Sequence, residues 1–162
     1  FPALVSERLQ SEGLSVEIVN ASVSGSTTAS AIKRLKWQLK GKPDVLFLAL
    51  GANDGLRGFD VKVTEKNLSE TIDLARKNEI PVILAGMKLP TNYGQTYRKG
   101  FEEVFKKLGR RSGVTLIPFL LEGVGGVKKL NLSDGIHPNE EGHKVISQTV
   151  YPFVKKEIEV RK

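Results

Sequence analysis

Hydrophobic and polar positions along the chain fall into two alternating periods. Four short apolar runs read as strands: Val16 to Ala21, Val45 to Gly51, Val82 to Gly86 and Val114 to Phe119. Runs such as V-L-F-L-A-L are apolar at successive positions, so both faces of the strand need cover. That is the pattern of parallel strands flanked by helices. Between the runs lie stretches of helical period. Residues 1–12 place Leu4, Val5 and Leu9 on one face, and Gly13 ends the pattern. Residues 28–40 carry Ile32, Leu35 and Leu39. Residues 64–77 carry Leu68, Ile72 and Ala75. Residues 97–108 carry Tyr97, Phe101, Val104, Phe105 and Leu108. Residues 140–160 carry Val145, Ile146, Val150, Phe153, Val154 and Ile158, with a bend expected at Pro152. These stripes read as core.

Alternating helix and strand with short connections predicts an α/β fold, a doubly wound parallel sheet in a three-layer α/β/α arrangement. Neither repeat nor linker interrupts the 162 residues, so one domain is expected. In such sheets chemistry gathers beyond the C-terminal strand ends. Each strand end is therefore a place to look.

After the first run comes N-A-S-V-S-G-S-T-T, residues 20–28. Its small residues leave backbone N–H groups exposed before a helix, which suits an anion or an oxyanion. Taken alone it reads as a Gly-Ser loop with Thr27 or Thr28 as helix cap. After the second comes G-A-N-D-G-L-R-G, residues 51–58. The Asn53 amide has two hydrogens for a developing negative charge, yet Asn-Asp-Gly is also a turn signal. After the third, the loop G-M-K-L-P-T-N-Y-G offers Leu89 and Pro90 as an exposed apolar wall. After the fourth comes D-G-I-H-P. Both histidines of the chain, His137 and His143, fall within residues 131–143. Asp134-Gly135 alone reads as a turn. Alternatively, Asp134 accepts from one imidazole nitrogen of His137 and leaves the other as a general base. The ordered succession of Gly25, Asn53, Asp134 and His137 at strand ends favours the second reading. Two oxyanion donors and a base with its orienter make most of an ester hydrolase.

Those four blocks, N-A-S-V-S-G-S-T-T, G-A-N-D-G-L-R-G, K-L-P-T-N-Y-G and S-D-G-I-H-P-N, resemble the SGNH or GDSL hydrolases. The likeness is greatest to the thioesterase I / lysophospholipase L1 / arylesterase branch. The resemblance implies a flavodoxin-like sheet and a serine hydrolase of carboxylic esters or thioesters. It implies that Gly25 donates its backbone N–H and Asn53 its amide to the oxyanion hole. His137 would be the base and Asp134 its orienter. Gly55, Leu56, Leu89, Pro90 and Asn92 would form the acyl-binding rim. It also implies a G-D-S block with the nucleophile, and this chain contains none. Ser22, Ser24 and Ser26 belong to the Gly25 block and do not replace it. The domain is therefore expected to be N-terminally incomplete, with the nucleophile upstream of Phe1. The absent first strand would lie between the runs at Val16 and at Val45, which should then not pair with each other. A periplasmic or secreted location follows from the resemblance alone.

Composition trims the alternatives. No cysteine means no disulfide, thiol nucleophile or Cys-bound metal. No run approaches the length of a membrane span. The formal charge of +7 reads mainly as solvated helix surface, as at Lys106-Lys107, Arg110-Arg111 and Lys155-Lys156. It leaves room for weak contact with an anionic membrane surface. A monomer acting on a small acyl-ester or thioester substrate is expected, without cofactor, metal or nucleic acid. The rival readings are a non-catalytic binding domain of the same fold, and a metal-dependent phosphoesterase using Asp54, Asp134 and His137.

Overall fold

The computed structural model describes residues 1–160. Its elements run α1 (Pro2–Ser11), α2 (Ala31–Gln38), β1 (Leu46–Leu48), α3 (Ala52–Leu56), α4 (Val61–Lys77), β2 (Val82–Ala85), α5 (Gln95–Gly109), β3 (Val114–Ile117) and α6 (Glu140–Glu159). Short 3-10 turns flank α2 and precede α5 and α6. By contact the chain divides into two units. One comprises residues 23–119, the other residues 1–22 with 120–160.

The 23–119 unit holds the sheet. Its three strands are parallel in the order β1-β2-β3, with Leu46 opposite Val82 and Val82 opposite Val114. All four residues of β2 are buried, as the doubly apolar run V-I-L-A predicts for a central strand. Helices α4 and α5 pack on this sheet and on each other. Helix α4 begins earlier than the apolar period suggests, because the Asp60 carboxylate caps it by accepting from Lys62 N at 2.8 Å. Helix α5 turns Phe101, Val104, Phe105 and Leu108 inward, and the Phe101 and Phe105 rings meet edge to face at 5.2 Å. At the end of β2, Gly86 lies so close to the Pro118 carbonyl oxygen that no Cβ would fit.

The other unit pairs α1 with α6. Val5 and Leu9 of α1 and Ile146, Val150 and Tyr151 of α6 are buried in its core. The Arg8 guanidinium lies 3.7 Å over the Tyr151 ring, and Lys155 donates to Glu12 at 2.6 Å. Helix α6 continues through Pro152.

The expectation of a strand from Val16 to Ala21 is not met. These residues form no regular element and join no ladder, and Ile18 and Val19 are exposed. A strand is held by its pairing hydrogen bonds, and among the described residues no ladder reaches this run. In the sheet β1 stands at the end of the strand order, with β2 as its ladder neighbour. A second difference concerns residues 51–58. The loop expected there is largely helix α3, entered through Gly51 at φ 112°. The left-handed φ lets the chain leave β1 sharply while Phe105 fills the space beside Gly51.

Candidate active site

In the 120–160 part, the segment carrying D-G-I-H-P is a closed loop. Leu132 N donates to the His137 carbonyl at 2.7 Å, Gly135 N to Leu132 O at 2.9 Å, and Asn139 N to Leu130 O at 3.0 Å. Gly135 takes φ 71°, which its lack of a Cβ permits. Asp134 serves this turn and His137 together. Its Oδ1 accepts from the backbone N–H of Ile136 at 2.9 Å and of His137 at 3.0 Å, while Oδ2 meets His137 Nδ1 at 2.7 Å. The turn and the Asp134–His137 side-chain hydrogen bond thus occur together. The backbone N–H of His137, that of Ile136 and the imidazole hold the Asp134 carboxyl down at about 2. An ionised Asp134 fixes the proton on Nδ1 and leaves Nε2 as an acceptor. The His137 side chain is exposed, so Nε2 is open to a reacting group.

His143 is placed differently. It sits on α6, part-buried, with its ring stacked 6.4 Å from Phe1. Burial pushes it below the usual imidazole range. Two polar residues anchor the loop that holds His137. Buried Asn131 donates to Val124 O at 2.7 Å and Val127 O at 2.9 Å. Asn139 caps α6 by accepting from Gly142 N at 3.1 Å and donates to Lys129 O at 3.0 Å. At Gly142, an added Cβ would fall on the Leu130 carbonyl oxygen, so the loop can lie directly on the helix start.

The 23–119 unit carries the other candidates. Gly25 takes φ 72° in the turn before the 3-10 segment Thr28–Ser30. Three side chains from α3 and its end hold this turn. Asn53 Nδ2 donates to Ser26 O at 3.0 Å, Arg57 donates to Gly25 O at 3.1 Å, and Asp54 accepts from Thr28 N at 2.9 Å and from the Thr28 hydroxyl. Asn67 of α4 donates to that same hydroxyl at 3.1 Å. One hydrogen of the Asn53 amide is thereby engaged and its direction set, and the second remains for another acceptor. The cap expected from Thr27 or Thr28 is not formed, since neither side chain caps the helical segment. The Thr28 hydroxyl is drawn to Asp54 instead.

Asp54 and Asn67 are the structural members of this site that sequence reasoning missed. Asp54 entered only as a metal ligand in a rival reading. It is 1% exposed, and both its oxygens are taken by Thr28. Among the described residues no three His, Asp or Glu side chains gather as a metal site would require. The available signal for Asp54 was its position beside Asn53 at a strand end. Its burial goes with its bonds to Thr28, 26 residues away in the chain, which local pattern does not reveal.

The proposed rim residues divide. Gly55 is buried, and a Cβ there would lie 2.6 Å from Leu89 Cδ2 and 2.9 Å from the Phe101 ring. Leu89 is not the exposed wall expected of it. It is 4% exposed because it fills the space over Gly55, and Arg98 fixes its carbonyl at 3.0 Å. Pro90 and Asn92 are exposed, and Leu56 is half-buried. The Tyr93 hydroxyl donates to Leu56 O at 2.8 Å, joining the 87–94 loop to α3.

Residues 1–145 match the GDSL-like lipase/acylhydrolase family. The chain is 39% identical over 154 residues to the esterase TesA of Pseudomonas aeruginosa, covering 94% of this chain and 77% of the relative. It is 35% identical over 148 residues to the thioesterase 1/protease 1/lysophospholipase L1 of Escherichia coli K12, covering 91% and 70%. A crystal structure of TesA superposes with a TM-score of 0.92 at 38% identity, covering 96% of this chain and 87% of that one. With the α/β fold and its parallel three-stranded sheet matching solved members, the chain belongs to the GDSL-like lipase/acylhydrolase family, the SGNH hydrolases.

Proposed function

We propose that this SGNH hydrolase of the esterase, thioesterase and lysophospholipase type cleaves carboxylic esters or thioesters through an acyl-enzyme. The observation that carries the reading is the 2.7 Å contact between His137 Nδ1 and Asp134. In the proposed reaction a serine hydroxyl attacks the acyl carbonyl carbon and its proton passes to His137 Nε2. The oxyanion that forms takes hydrogen bonds from Gly25 N–H and from the second hydrogen of the Asn53 amide. As the tetrahedral species collapses, the C–O or C–S bond breaks and the leaving group takes the proton from Nε2. Water then repeats the sequence on the acyl-serine and releases the acid. Asp134 keeps the imidazole in the required tautomer and stabilises its transient charge. Leu56, Pro90 and Asn92 would line the acyl group, with Gly55 and Leu89 packed beneath them as support.

The nucleophile in this proposal is a serine supplied by polypeptide outside the 162 residues. The family match, in a chain that contains no G-D-S block, supports that assignment. The test assays p-nitrophenyl esters and acyl-CoA thioesters with the gene's full product and with the 162-residue chain. The full product should turn over, its His137→Ala variant should fall to background, and the 162-residue chain should stay at background. Equal rates from the two proteins would place the nucleophile within these residues and overturn its assignment. An inactive full product would overturn the hydrolase reading.

A further inference from the structure

The positive charge of this protein is concentrated. Residues 18–43 contain no Asp or Glu, yet carry Lys33, Arg34, Lys36, Lys40 and Lys42, which is +5 of the formal +7. Four side chains of this stretch form one stripe. Lys33, Lys36, Trp37 and Lys40 stand at helical spacing along α2 and its 3-10 extension, and all four are exposed. The opposite face buries Ala31 and Leu35. Trp37 is 68% exposed, and the Lys40 ammonium lies 4.0 Å over its ring. Several lysines on other helices have carboxylate partners, as in Lys66–Glu70, Lys106–Glu103, Lys144–Glu141 and Lys155–Glu12. Among the described residues Lys33, Lys36 and Lys40 have none.

We infer that this face of α2 docks the protein on an anionic lipid surface. The inference is independent of the proposed hydrolytic chemistry. An indole is the side chain that best occupies the boundary between headgroups and acyl chains, with its ring in the apolar zone and its N–H in water. Lysines around it can extend their alkyl stems along the boundary while the ammonium groups meet lipid phosphates. The arrangement suits a diffuse anionic plane. Nucleic acid would call for a groove with several stacking rings or for forked Arg donors, whereas this stripe presents lysines around one ring. Two copies meeting face to face here would oppose like charges. The turn that carries Gly25 leads directly into this helix, so docking would bring that turn close to the lipid.

Trp37 is the one tryptophan of the 162 residues, so its fluorescence reports on this face alone. The test mixes the protein with phosphatidylcholine vesicles, with and without phosphatidylglycerol. It follows flotation and the Trp37 emission. The expected result is flotation and a blue shift with the anionic vesicles, neither with phosphatidylcholine alone, and reversal at about 0.5 M salt. The Lys33→Gln, Lys36→Gln and Lys40→Gln replacements should each weaken vesicle affinity about fivefold. Far-UV circular dichroism of each variant guards against misfolding, and Trp37→Phe supplies the background emission in any longer form. Absence of flotation, flotation with unshifted emission, or undiminished binding by the folded triple variant would each overturn the inference. So would tighter binding to a single-stranded oligonucleotide at the same salt, or self-association that moves the emission without lipid.

Discussion

Asp134 is the residue on which the candidate base depends, and its environment is almost wholly local. Three hydrogen bonds from within three residues hold its carboxyl at about 2. Because the folded value lies below the ordinary 3.8, ionised Asp134 stabilises the loop. That contribution is complete above the unfolded value and is lost as pH falls toward 2. A carboxyl carbon titration of Asp134 by NMR should therefore show a midpoint near 2, and a midpoint near 3.8 would mean that the turn is not formed in solution. Asn53 is set by a longer-range contact, its bond to Ser26 O. On the proposed reading, Asn53→Ala in the gene's full product should lower kcat by about 10²–10³ with KM little changed, since the amide would act on the transition state. A loss confined to KM would make Asn53 a binding residue only.

At the scale of elements, α3 and the start of α6 do the positioning. Helix α3 is only five residues long, and alone it would not persist in water. It is held by Phe101, Leu89 and the bonds from Asn53, Asp54 and Arg57 to the Gly25 turn. The start of α6 depends on Asn139, whose side chain caps the helix and also ties down the Lys129 carbonyl. Asn139→Ala should cost about 1–2 kcal/mol through the lost cap. A urea titration would read this as a lower midpoint at unchanged slope. No change in midpoint would show that water replaces the cap without loss. The boundaries of α4, α5 and α6 were nearly legible in the apolar period, and α3 was not. Its sequence A-N-D-G-L contains turn formers, and only packing makes it helical.

For the molecule as a whole, the sheet's stability rests on its central strand. Ile83 is fully buried, with β1 on one side and β3 on the other. Ile83→Ala should cost about 2–5 kcal/mol, as large-to-small changes in a packed core do. A smaller loss on chemical denaturation would mean that the neighbouring side chains close the cavity. The unequal spread of charge also belongs to this scale. The +7 seen in the composition is not uniform, and Lys33, Lys36 and Lys40, on α2 and its 3-10 extension, carry a share that averages had hidden.

The sequence by itself determined the alternation of helix and strand, the parallel sheet, and the pairing of Asp134 with His137. Each of these rests on spacing within a few residues, where backbone geometry fixes which side chains share a face or a turn. Tertiary structure alone decided the rest. It left residues 16–21 without a ladder, because a strand is defined by a neighbour and not by its own apolar residues. It turned Leu89 inward, because Gly55 leaves a space that only a distant loop could fill. It buried Asp54 against Thr28, 26 residues away in the chain, because that partner is brought to it by packing and not by local spacing. Contacts between residues far apart in the chain are set by how elements pack, and no local period encodes that.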